Sequence, residues 1–353
     1  MLGLKQPLIL LSLLLLSPGI SMELPISYDL LNVIFDETSE TIAEFPDGSH
    51  FSLNCNRLKA EQVEYKVEGR SVPAVRIHCD QARRPLNKSA IWLFGGPFIS
   101  FSPDLLPPEH LVLLDLGYVL VVPLYIGTAE REYEFVGDRL SPDMDEAVRE
   151  VASLVEAFQS AGPVVLVGQS FGGLLASAVA TQLRENDALV LLGSPLVPFP
   201  EVIRRQNVPI SSLLDQPFLD DLELGFAQPS GPMRLQNEAG VPSTSLEEQT
   251  ELSLRVLRGF FGKRWLEQDP VALLAGHPAR SLVVMREGDA RVGPERLQVL
   301  RDMQNPRIHL LVLSGEEHAS VLARRELDEF KRLLLEVTSD VQVPIPDSAK
   351  PER

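Results

Sequence analysis

Short, uninterrupted apolar runs alternate with helical patterns over most of the chain beyond residue 90. The six runs are Ala90–Phe94, Tyr118–Val122, Pro163–Val167, Ala188–Leu192, Ser281–Met285 and Ile308–Leu313. A strand that is apolar at every position is typically buried on both faces. The pattern therefore predicts an α/β fold, in which a mostly parallel sheet carries helices on both of its faces.

Two amphipathic helices and two earlier strands are predicted beside these runs. Ser141 can cap the first helix with Pro142 at its first position, and one face then carries Met144, Val148, Val151, Val155 and Phe158. The second helix lies near the C-terminus, where one face carries Ala323, Leu327, Phe330 and Leu334. Val63–Glu68 and Ala74–Cys79 alternate apolar and polar residues, as half-buried strands do.

A proline-rich segment interrupts the alternation in the second half of the chain. Eight prolines fall between Pro195 and Pro242, and strand-like sequence returns only near Arg280. A stretch of about 80 residues is too long for a simple loop, so we expect an inserted cap at 195–277. The core is then expected at 22–194 and 278–337, followed by a flexible tail at 338–353.

The acidic composition limits the classes of partner. Lys and Arg number 32 against 49 Asp and Glu, which gives a formal net charge of −17. Such a surface repels phosphate backbones, so no nucleic-acid partner is expected. The sequence has no CxxC pair, His-rich helix or EF-hand-like acidic loop, and no metal or other cofactor is predicted.

The first 21 residues have the features of a secretory signal peptide. Lys5 precedes the apolar run Pro7–Leu16, and the small residues Gly19 and Ser21 suit a cut before Met22. The run is shorter than the ~20 residues of a membrane span, so no stable span is expected after processing. The prediction is a secreted or periplasmic protein, and an uncleaved signal anchor is the alternative.

The predicted export affects the expected redox state of the two cysteines of the chain. Cys55 and Cys79 end two strand-like runs, Phe51–Cys55 and Ala74–Cys79. In an oxidising compartment they can form one disulfide. Two buried free thiols are the alternative.

The strongest chemical motif is Gly168-Gln169-Ser170-Phe171-Gly172-Gly173, which follows an apolar run and precedes a helix-like segment. A serine on such a strand–turn–helix connection has an exposed hydroxyl, and the helix start offers N–H groups to an oxyanion. Glycines flank the serine because side chains there would collide with the crossing backbone. Ser170 is therefore the candidate nucleophile.

With this motif the chain resembles the α/β-hydrolase fold family over most of residues 63–336 outside the cap. The resemblance implies a catalytic triad in the chain order serine, acid, histidine. Asp289 matches the family's acid, because it follows the strand that ends at Met285, and His318 matches the histidine after the next strand. Glu287, which is two residues closer to the strand, is the alternative acid.

The same resemblance implies two backbone donors that bind the oxyanion. One is the amide of Phe171, and the other is expected in Phe94-Gly95-Gly96-Pro97-Phe98, where we choose Gly96. Gly-Gly-Pro and the serine motif together look most like the proline iminopeptidase branch, which removes N-terminal residues from peptides. That branch usually has histidine and glycine where this chain has Phe94 and Phe98.

Two sets of residues bear on the substrate. Seven carboxylates can hold a substrate ammonium group or be ordinary solvated surface, namely Glu130, Glu132 and Glu134 and, in the cap, Asp215, Asp220, Asp221 and Glu223. Six apolar residues can line an acyl pocket or belong to the core of the cap, namely Phe98, Phe101, Leu105, Phe199, Phe218 and Phe226.

The sequence thus predicts an exported Ser-His-Asp hydrolase that acts on a small-molecule or peptide substrate, with a peptidase preferred. The alternatives are a carboxylic-ester hydrolase and a non-catalytic binding protein on the same fold.

Overall fold

The strands and helices can be assigned over most of the chain. The computed structural model describes residues 32–35, 41–44, 50–53, 57–80, 88–95, 97–98, 101, 108–205, 246–289, 293–315 and 322–338. Their strands are β1 (Asn32–Phe35), β2 (Thr41–Glu44), β3 (His50–Leu53), β4 (Arg57–Val67), β5 (Arg70–Asp80), β6 (Lys88–Leu93), β7 (Tyr118–Pro123), β8 (Glu134–Val136), β9 (Arg139–Ser141), β10 (Val164–Gln169), β11 (Ala188–Leu192), β12 (Arg280–Arg286) and β13 (Ile308–Leu313). The helices are α1 (Pro108–Asp115), α2 (Met144–Gln159), α3 (Phe171–Val179), α4 (Phe199–Arg205), α5 (Leu246–Glu267), α6 (Pro270–Ala275), α7 (Leu297–Asp302) and α8 (Arg324–Val337).

Eight of these strands form one sheet in the order β13-β12-β11-β10-β6-β7-β5-β4. The strands β6, β7 and β10 to β13 run parallel, while β5 is antiparallel to both of its neighbours. The parallel strands coincide with the six apolar runs, so the predicted mostly parallel sheet is confirmed. Leu166, Val190 and Leu282 on three adjacent strands are all 0 % exposed, because helices cover both sheet faces. The strands β1 to β3 form a separate antiparallel sheet.

Right-handed crossovers distribute the helices over the two faces of the large sheet. Helix α1 connects β6 to β7, towards one edge of the sheet. Helices α2 and α3 belong to the connections from β7 to β10 and from β10 to β11, which run towards the other edge. They therefore lie on the face opposite α1. The C-terminal α8 packs against α1, where Lys331 Nζ donates to the Asp115 carboxylate at 2.5 Å.

The chain changes direction between the neighbouring strands β6 and β10. The connection through α1 leaves β6 towards β7, and the connection through α3 leaves β10 towards β11. Divergent connections open a crevice at the carboxyl ends of the two strands, where ligands of α/β proteins bind. Gly95 follows β6 and Ser170 follows β10, so this crevice is where the candidate site lies.

The predicted start of the first helix is wrong. Ser141 ends β9, and α2 begins at Met144. Its cap is Asp143, whose carboxylate accepts a hydrogen bond from the N–H of Glu146 at 3.2 Å. A carboxylate satisfies an N-terminal N–H as well as a serine does, and the short β8–β9 hairpin occupies the residues just before it. The apolar face is as expected, since Met144 and Val151 are fully buried.

The described residues include the two ends of the predicted cap. They form α4 at one end, and α5 and α6 at the other; Phe218, Phe226 and the rest of 206–245 lie outside the described residues. Helix α5 is broken at Gly262, which has φ +58°. Close by, the Trp265 indole N–H donates to the Asp145 carboxylate of α2 at 2.8 Å. The end of the cap segment therefore packs on the core, and the boundaries 195 and 277 stay predictions.

Several sequence predictions fall on the remaining parts of the chain. Cys79 is disulfide-bonded in β5, and the other cysteine of the sequence, Cys55, lies outside the described residues. The predicted signal peptide at 1–21 and the tail from residue 339 lie outside them as well. Within the ranges given above, no helix combines the length and the apolar character that a membrane crossing requires.

Candidate active site

Ser170 lies on a strained turn between β10 and α3. Its φ is +49° and its ψ is −118°, a conformation that costs a residue with a side chain about 1–3 kcal/mol. The turn is fixed by the Ser170 N–H, which donates to the Leu192 carbonyl at 2.9 Å. The Ser170 side chain does not cap α3 and is partly exposed. This is the strand–turn–helix connection that the motif predicts.

Two glycines make the turn sterically possible. A Cβ atom at Gly172 would lie 2.2 Å from the carbonyl oxygen of Leu93 and 2.5 Å from that of Phe94. A Cβ atom at Gly168 would lie 2.5 Å from the Gly172 carbonyl oxygen. The start of α3 thus packs backbone against backbone on the end of β6. This packing brings the loop after β6 beside the nucleophile.

The candidate oxyanion donors follow from this close approach. A Cβ atom at Gly95 would lie 3.0 Å from the Ser170 Cβ and 3.7 Å from its Oγ. Phe171 is the first residue of α3, so its N–H has no acceptor within the helix. Gly96 lies outside the described residues. The structure therefore places Ser170, Phe171 and Gly95 together, as an oxyanion site beside a nucleophile requires.

Tyrosine hydroxyls that the sequence analysis missed hold this loop. The Tyr125 hydroxyl donates to the Phe94 carbonyl at 2.8 Å, and the Phe98 N–H donates to the Gly127 carbonyl at 2.7 Å. The Gly127 N–H in turn donates to the Tyr133 hydroxyl at 2.6 Å. Burial raises the pKa of Tyr125 well above its usual value, so the hydroxyl stays a donor. In the sequence, Tyr125 could have been recognised as a candidate site residue because it follows the end of the buried strand β7 by two positions.

Asp289 is a buried carboxylate just beyond the end of β12. Its side chain is 2 % exposed, whereas Glu287 is exposed. The pairing of β12 with β13 continues into the loops, where the Gly288 N–H donates to the Gly315 carbonyl at 3.0 Å. His318 comes three positions after Gly315 and lies outside the described residues. Burial at the sheet edge favours Asp289 over Glu287 as the acid.

One strand separates the candidate nucleophile Ser170 from the candidate acid Asp289. The carboxyl ends of β10, β11 and β12 are tied together, because Ser170 bonds to Leu192 and the Gly193 N–H donates to Val284 at 2.8 Å. Two strand spacings amount to about 10 Å. The side chain that is expected between them is the imidazole of His318, which lies outside the described residues.

Of the carboxylates considered for an ammonium group, the three that follow β7 lie on the surface, and the four of the cap lie outside the described residues. Glu132 and Glu134 are exposed, and the Glu130 carboxylate accepts the Phe101 N–H at 2.7 Å. These positions fit solvated surface better than a closed binding site for a cation.

A buried carboxylate in the same region, Glu150 of α2, was missed by the sequence analysis. It accepts the Ile126 N–H at 2.9 Å and a guanidinium hydrogen bond from Arg131 at 2.7 Å. Burial raises the pKa of Glu150, and the charge of Arg131 opposes that shift. The charge of Glu150 is therefore compensated within the protein.

Aromatic rings pack over the start of α3. The Phe171 ring centroid lies 5.7 Å from that of Phe261 and 6.3 Å from those of Phe199 and Phe260. The Phe98 ring lies 5.0 Å from Phe260. All five side chains are buried. We call these five residues the aromatic wall; Phe199, Phe260 and Phe261 reach it from α4 and α5.

Of the other predicted acyl-pocket residues, Leu105 lies outside the described residues and Phe101 is partly buried, next to Phe94 at 5.3 Å. Within the described ranges, no three His, Cys, Asp or Glu side chains are grouped as metal ligands. The arrangement suits nucleophilic acyl transfer. It combines a serine on a strained turn, Ser170, with the buried carboxyl group of Asp289 and the free backbone N–H at the start of α3.

Comparison with known proteins agrees with this geometry. A profile described as the alpha/beta hydrolase family matches residues 89–342. The chain belongs to this family. Its sheet order and crossovers are those of the alpha/beta hydrolase fold, as the sequence predicted, and membership supports the prediction of a hydrolase enzyme. A search of curated protein sequences gives no match.

Solved alpha/beta hydrolases share the fold with little sequence identity. A 2-hydroxy-6-oxo-6-phenylhexa-2,4-dienoate hydrolase from Rhodococcus sp. strain RHA1 has a TM-score of 0.52 and 17% identity, covering 80% of this chain and 100% of that chain. An esterase from Pyrococcus furiosus has a TM-score of 0.50 and 14% identity, and the match covers 80% of this chain and 90% of the esterase. A puromycin-hydrolyzing peptidase from Mycobacterium tuberculosis has a TM-score of 0.50 and 13% identity, and the match covers 91% of this chain and 47% of the peptidase.

The packing at Gly172 gives a first prediction. Gly172→Ala places a methyl group 2.2 Å from the Leu93 carbonyl oxygen, so we expect Ser170 to shift and fluorophosphonate labelling to slow about 100-fold. Gly276→Ala is the control, since a Cβ atom there meets open space. Labelling rates and urea midpoints check both variants. A Gly172→Ala protein that labels at the wild-type rate contradicts the turn geometry.

A second prediction concerns the acid. Asp289→Asn should lower kcat by up to ~10⁴, because the histidine loses the partner that sets its tautomer. Glu287→Gln removes an exposed carboxylate and should keep kcat within about tenfold. Steady-state kinetics measure the effect, and circular dichroism checks that both variants fold. The reverse result identifies Glu287 as the acid.

Proposed function

We propose that this chain is an exported serine hydrolase that cleaves carboxylic esters with an apolar acyl group through a covalent acyl-enzyme. The observation that carries the proposal is Ser170 on a turn with φ +49°, directly beside the Gly95 loop. A side chain is held in such a conformation only where the surroundings impose it, and in this family that is the place of the nucleophile.

The proposed reaction has two halves. In the first, His318 takes the proton of Ser170 as its oxygen attacks the ester carbonyl carbon, and the N–H groups of Phe171 and Gly96 stabilise the oxyanion. Asp289 orients His318 and stabilises its charged form. His318 then gives its proton to the departing alcohol, and the acyl group stays on Ser170. In the second half, His318 activates water, which releases the acid and restores Ser170.

The preference for esters comes from the surroundings of Ser170. The aromatic wall begins at Phe171, the residue after Ser170, and its five buried rings make the surroundings of the candidate nucleophile apolar. A peptidase of the proline iminopeptidase type needs a group that binds the substrate ammonium ion. Among the described carboxylates near the site, Glu130 accepts a backbone N–H, and the charge of Glu150 is compensated by Arg131.

The peptidase hypothesis keeps the support of the Gly-Gly-Pro motif at 95–97. The fold does not separate the two hypotheses, because it is shared by an esterase from Pyrococcus furiosus and by a puromycin-hydrolyzing peptidase from Mycobacterium tuberculosis. Substrate choice is therefore tested directly.

The third prediction compares two series of substrates. We expect the mature protein to hydrolyse p-nitrophenyl esters, with kcat/KM rising with acyl chain length as more apolar surface is removed from water beside Ser170. Matched aminoacyl p-nitroanilides should be slower. Ser170→Ala should abolish both ester hydrolysis and fluorophosphonate labelling. Faster anilide hydrolysis would establish a peptidase, and an inert, unlabelled wild-type protein would establish a binding protein.

The fourth prediction concerns export. We expect cells to remove residues 1–21, since Lys5 and the following apolar run have the pattern of a signal peptide. Protein from the native host should begin at Met22 and be found outside the cytoplasmic membrane. N-terminal sequencing after fractionation measures this. A soluble cytoplasmic protein with an intact Met1 contradicts it.

A further inference from the structure

Tyr125 is a buried tyrosine whose hydroxyl reaches the loop beside the candidate nucleophile. It comes two positions after the end of β7 and is 0 % exposed. Its hydroxyl donates to the Phe94 carbonyl at 2.8 Å, and Phe94 is the first residue after β6. The bond therefore joins the chain just beyond the ends of two neighbouring strands. Because its side chain is inaccessible, Tyr125 does not contact a substrate.

The backbone around Tyr125 is fixed on both sides. On one side, the Leu124 N–H donates to the Pro73 carbonyl of β5 at 2.8 Å. On the other side, the Ile126 N–H donates to the Glu150 carboxylate at 2.9 Å. The Tyr125 ring thus projects from an anchored stretch of backbone. A hydroxyl on such a base holds its acceptor in one place.

The Tyr125 ring itself is confined by its neighbours. Its centroid lies 5.6 Å from that of Phe94 and 6.4 Å from that of Phe171. The Gly127 backbone closes a third side, since a Cβ atom there would lie 3.2 Å from the Cε2 atom of Tyr125. Neighbours this close leave the ring few rotamers, so the hydroxyl stays directed at the Phe94 carbonyl.

The acceptor of this bond belongs to the backbone that borders Ser170. The Phe94 carbonyl and the Gly95 N–H are parts of one planar peptide group, so a bond to the carbonyl oxygen orients the whole group. A Cβ atom at Gly95 would lie 3.0 Å from the Ser170 Cβ. On the other side, a Cβ atom at Gly172 would lie 2.5 Å from the Phe94 carbonyl oxygen. A rotation of this peptide group therefore displaces backbone that touches both Ser170 and the start of α3.

We propose that Tyr125 is a positioning residue for the reaction of Ser170, because its hydroxyl fixes the Phe94–Gly95 peptide group beside the candidate nucleophile. This role rests on the proposed function. The hydroxyl touches neither the substrate nor the reacting atoms, so its loss slows the attack by Ser170 without weakening substrate binding. A misplacement of about 1 Å near the reacting atoms is enough to slow catalysis by about 100-fold.

The kinetic test removes the hydroxyl and keeps the ring. In Tyr125→Phe, we expect kcat for a p-nitrophenyl ester and the rate of fluorophosphonate labelling to fall about 10- to 100-fold, with KM within about twofold. Tyr65→Phe is the matched control, because Tyr65 is a partly buried tyrosine of β4 at the edge of the sheet. Val337→Ala truncates a buried side chain of α8 and shows how a loss of stability alone affects the rates. Urea midpoints compare the stability of the variants.

Selective isotope labelling tests the hydrogen bond independently of activity. The sequence has three Phe–Gly pairs, at 94–95, 171–172 and 261–262. With phenylalanine labelled at its carbonyl carbon and glycine labelled at its amide nitrogen, each pair gives one signal in a carbon–nitrogen correlation NMR spectrum. Tyr125→Phe should shift the 94–95 signal more than the other two, because the Phe94 carbonyl loses its donor. Tyr65→Phe should leave all three signals in place.

The outcomes separate the positioning role from the proposed function. Wild-type kcat and labelling in Tyr125→Phe overturn the positioning role, and so does an equal loss of activity in Val337→Ala. An unchanged 94–95 signal in Tyr125→Phe overturns the hydrogen bond on which the role depends. A wild-type protein that fails to react with fluorophosphonate overturns the proposed function, and the role in catalysis with it; the 94–95 signal then still decides whether Tyr125 holds the peptide group.

Discussion

The candidate site depends on the direct contact between two backbones, those of the start of α3 and the end of β6. No side chain fits between them, because a Cβ atom at Gly172 would lie 2.2 Å from a carbonyl oxygen. The contact forces the chain to turn sharply at Ser170 and brings Gly95 against it. The strain of the turn is offset by the buried strands on either side, since β10 and its neighbours form the middle of the sheet.

Around this contact, the remaining parts of the site are held by polar side chains from other elements. Tyr125 fixes the start of the loop that follows β6. Tyr133 and Glu150 fix the backbone after β7, and Glu109 bonds to Leu322 after β13. Each of these groups is mostly or fully buried and bonded to a backbone N–H or carbonyl. Such bonds are costly to break in a buried place, because the group left behind is not hydrated.

The sequence was sufficient for the features that repeat or that form a local motif. A strand buried on both faces is apolar at every position, so β6, β7 and β10 to β13 could be recognised. Ser170 could be recognised because its glycines are within two residues of it. The start of α2 was misplaced, since both Ser141 and Asp143 are good caps and the tertiary structure decides between them. The β8–β9 hairpin has three residues in each strand, too few for a periodic pattern.

The hydrogen bonds of Tyr125 and Glu109 could not be predicted from the sequence, for a different reason. Their partners lie 31 and 213 residues away in the chain, and a single sequence does not report which distant residues meet. The sequence also did not indicate which carboxylate side chains are buried. Asp289 and Glu287 are two residues apart and chemically alike, and it is the fold that buries one and exposes the other.

Phe171 belongs to two parts of the molecule at once. Its backbone is at the first position of α3, next to the nucleophile, while its ring is packed among Phe199, Phe260 and Phe261. A phenyl ring is stiff, and its two side-chain torsions are confined by close neighbours. Phe171 therefore joins the rings at the two described ends of the cap segment to the backbone of the turn at Ser170.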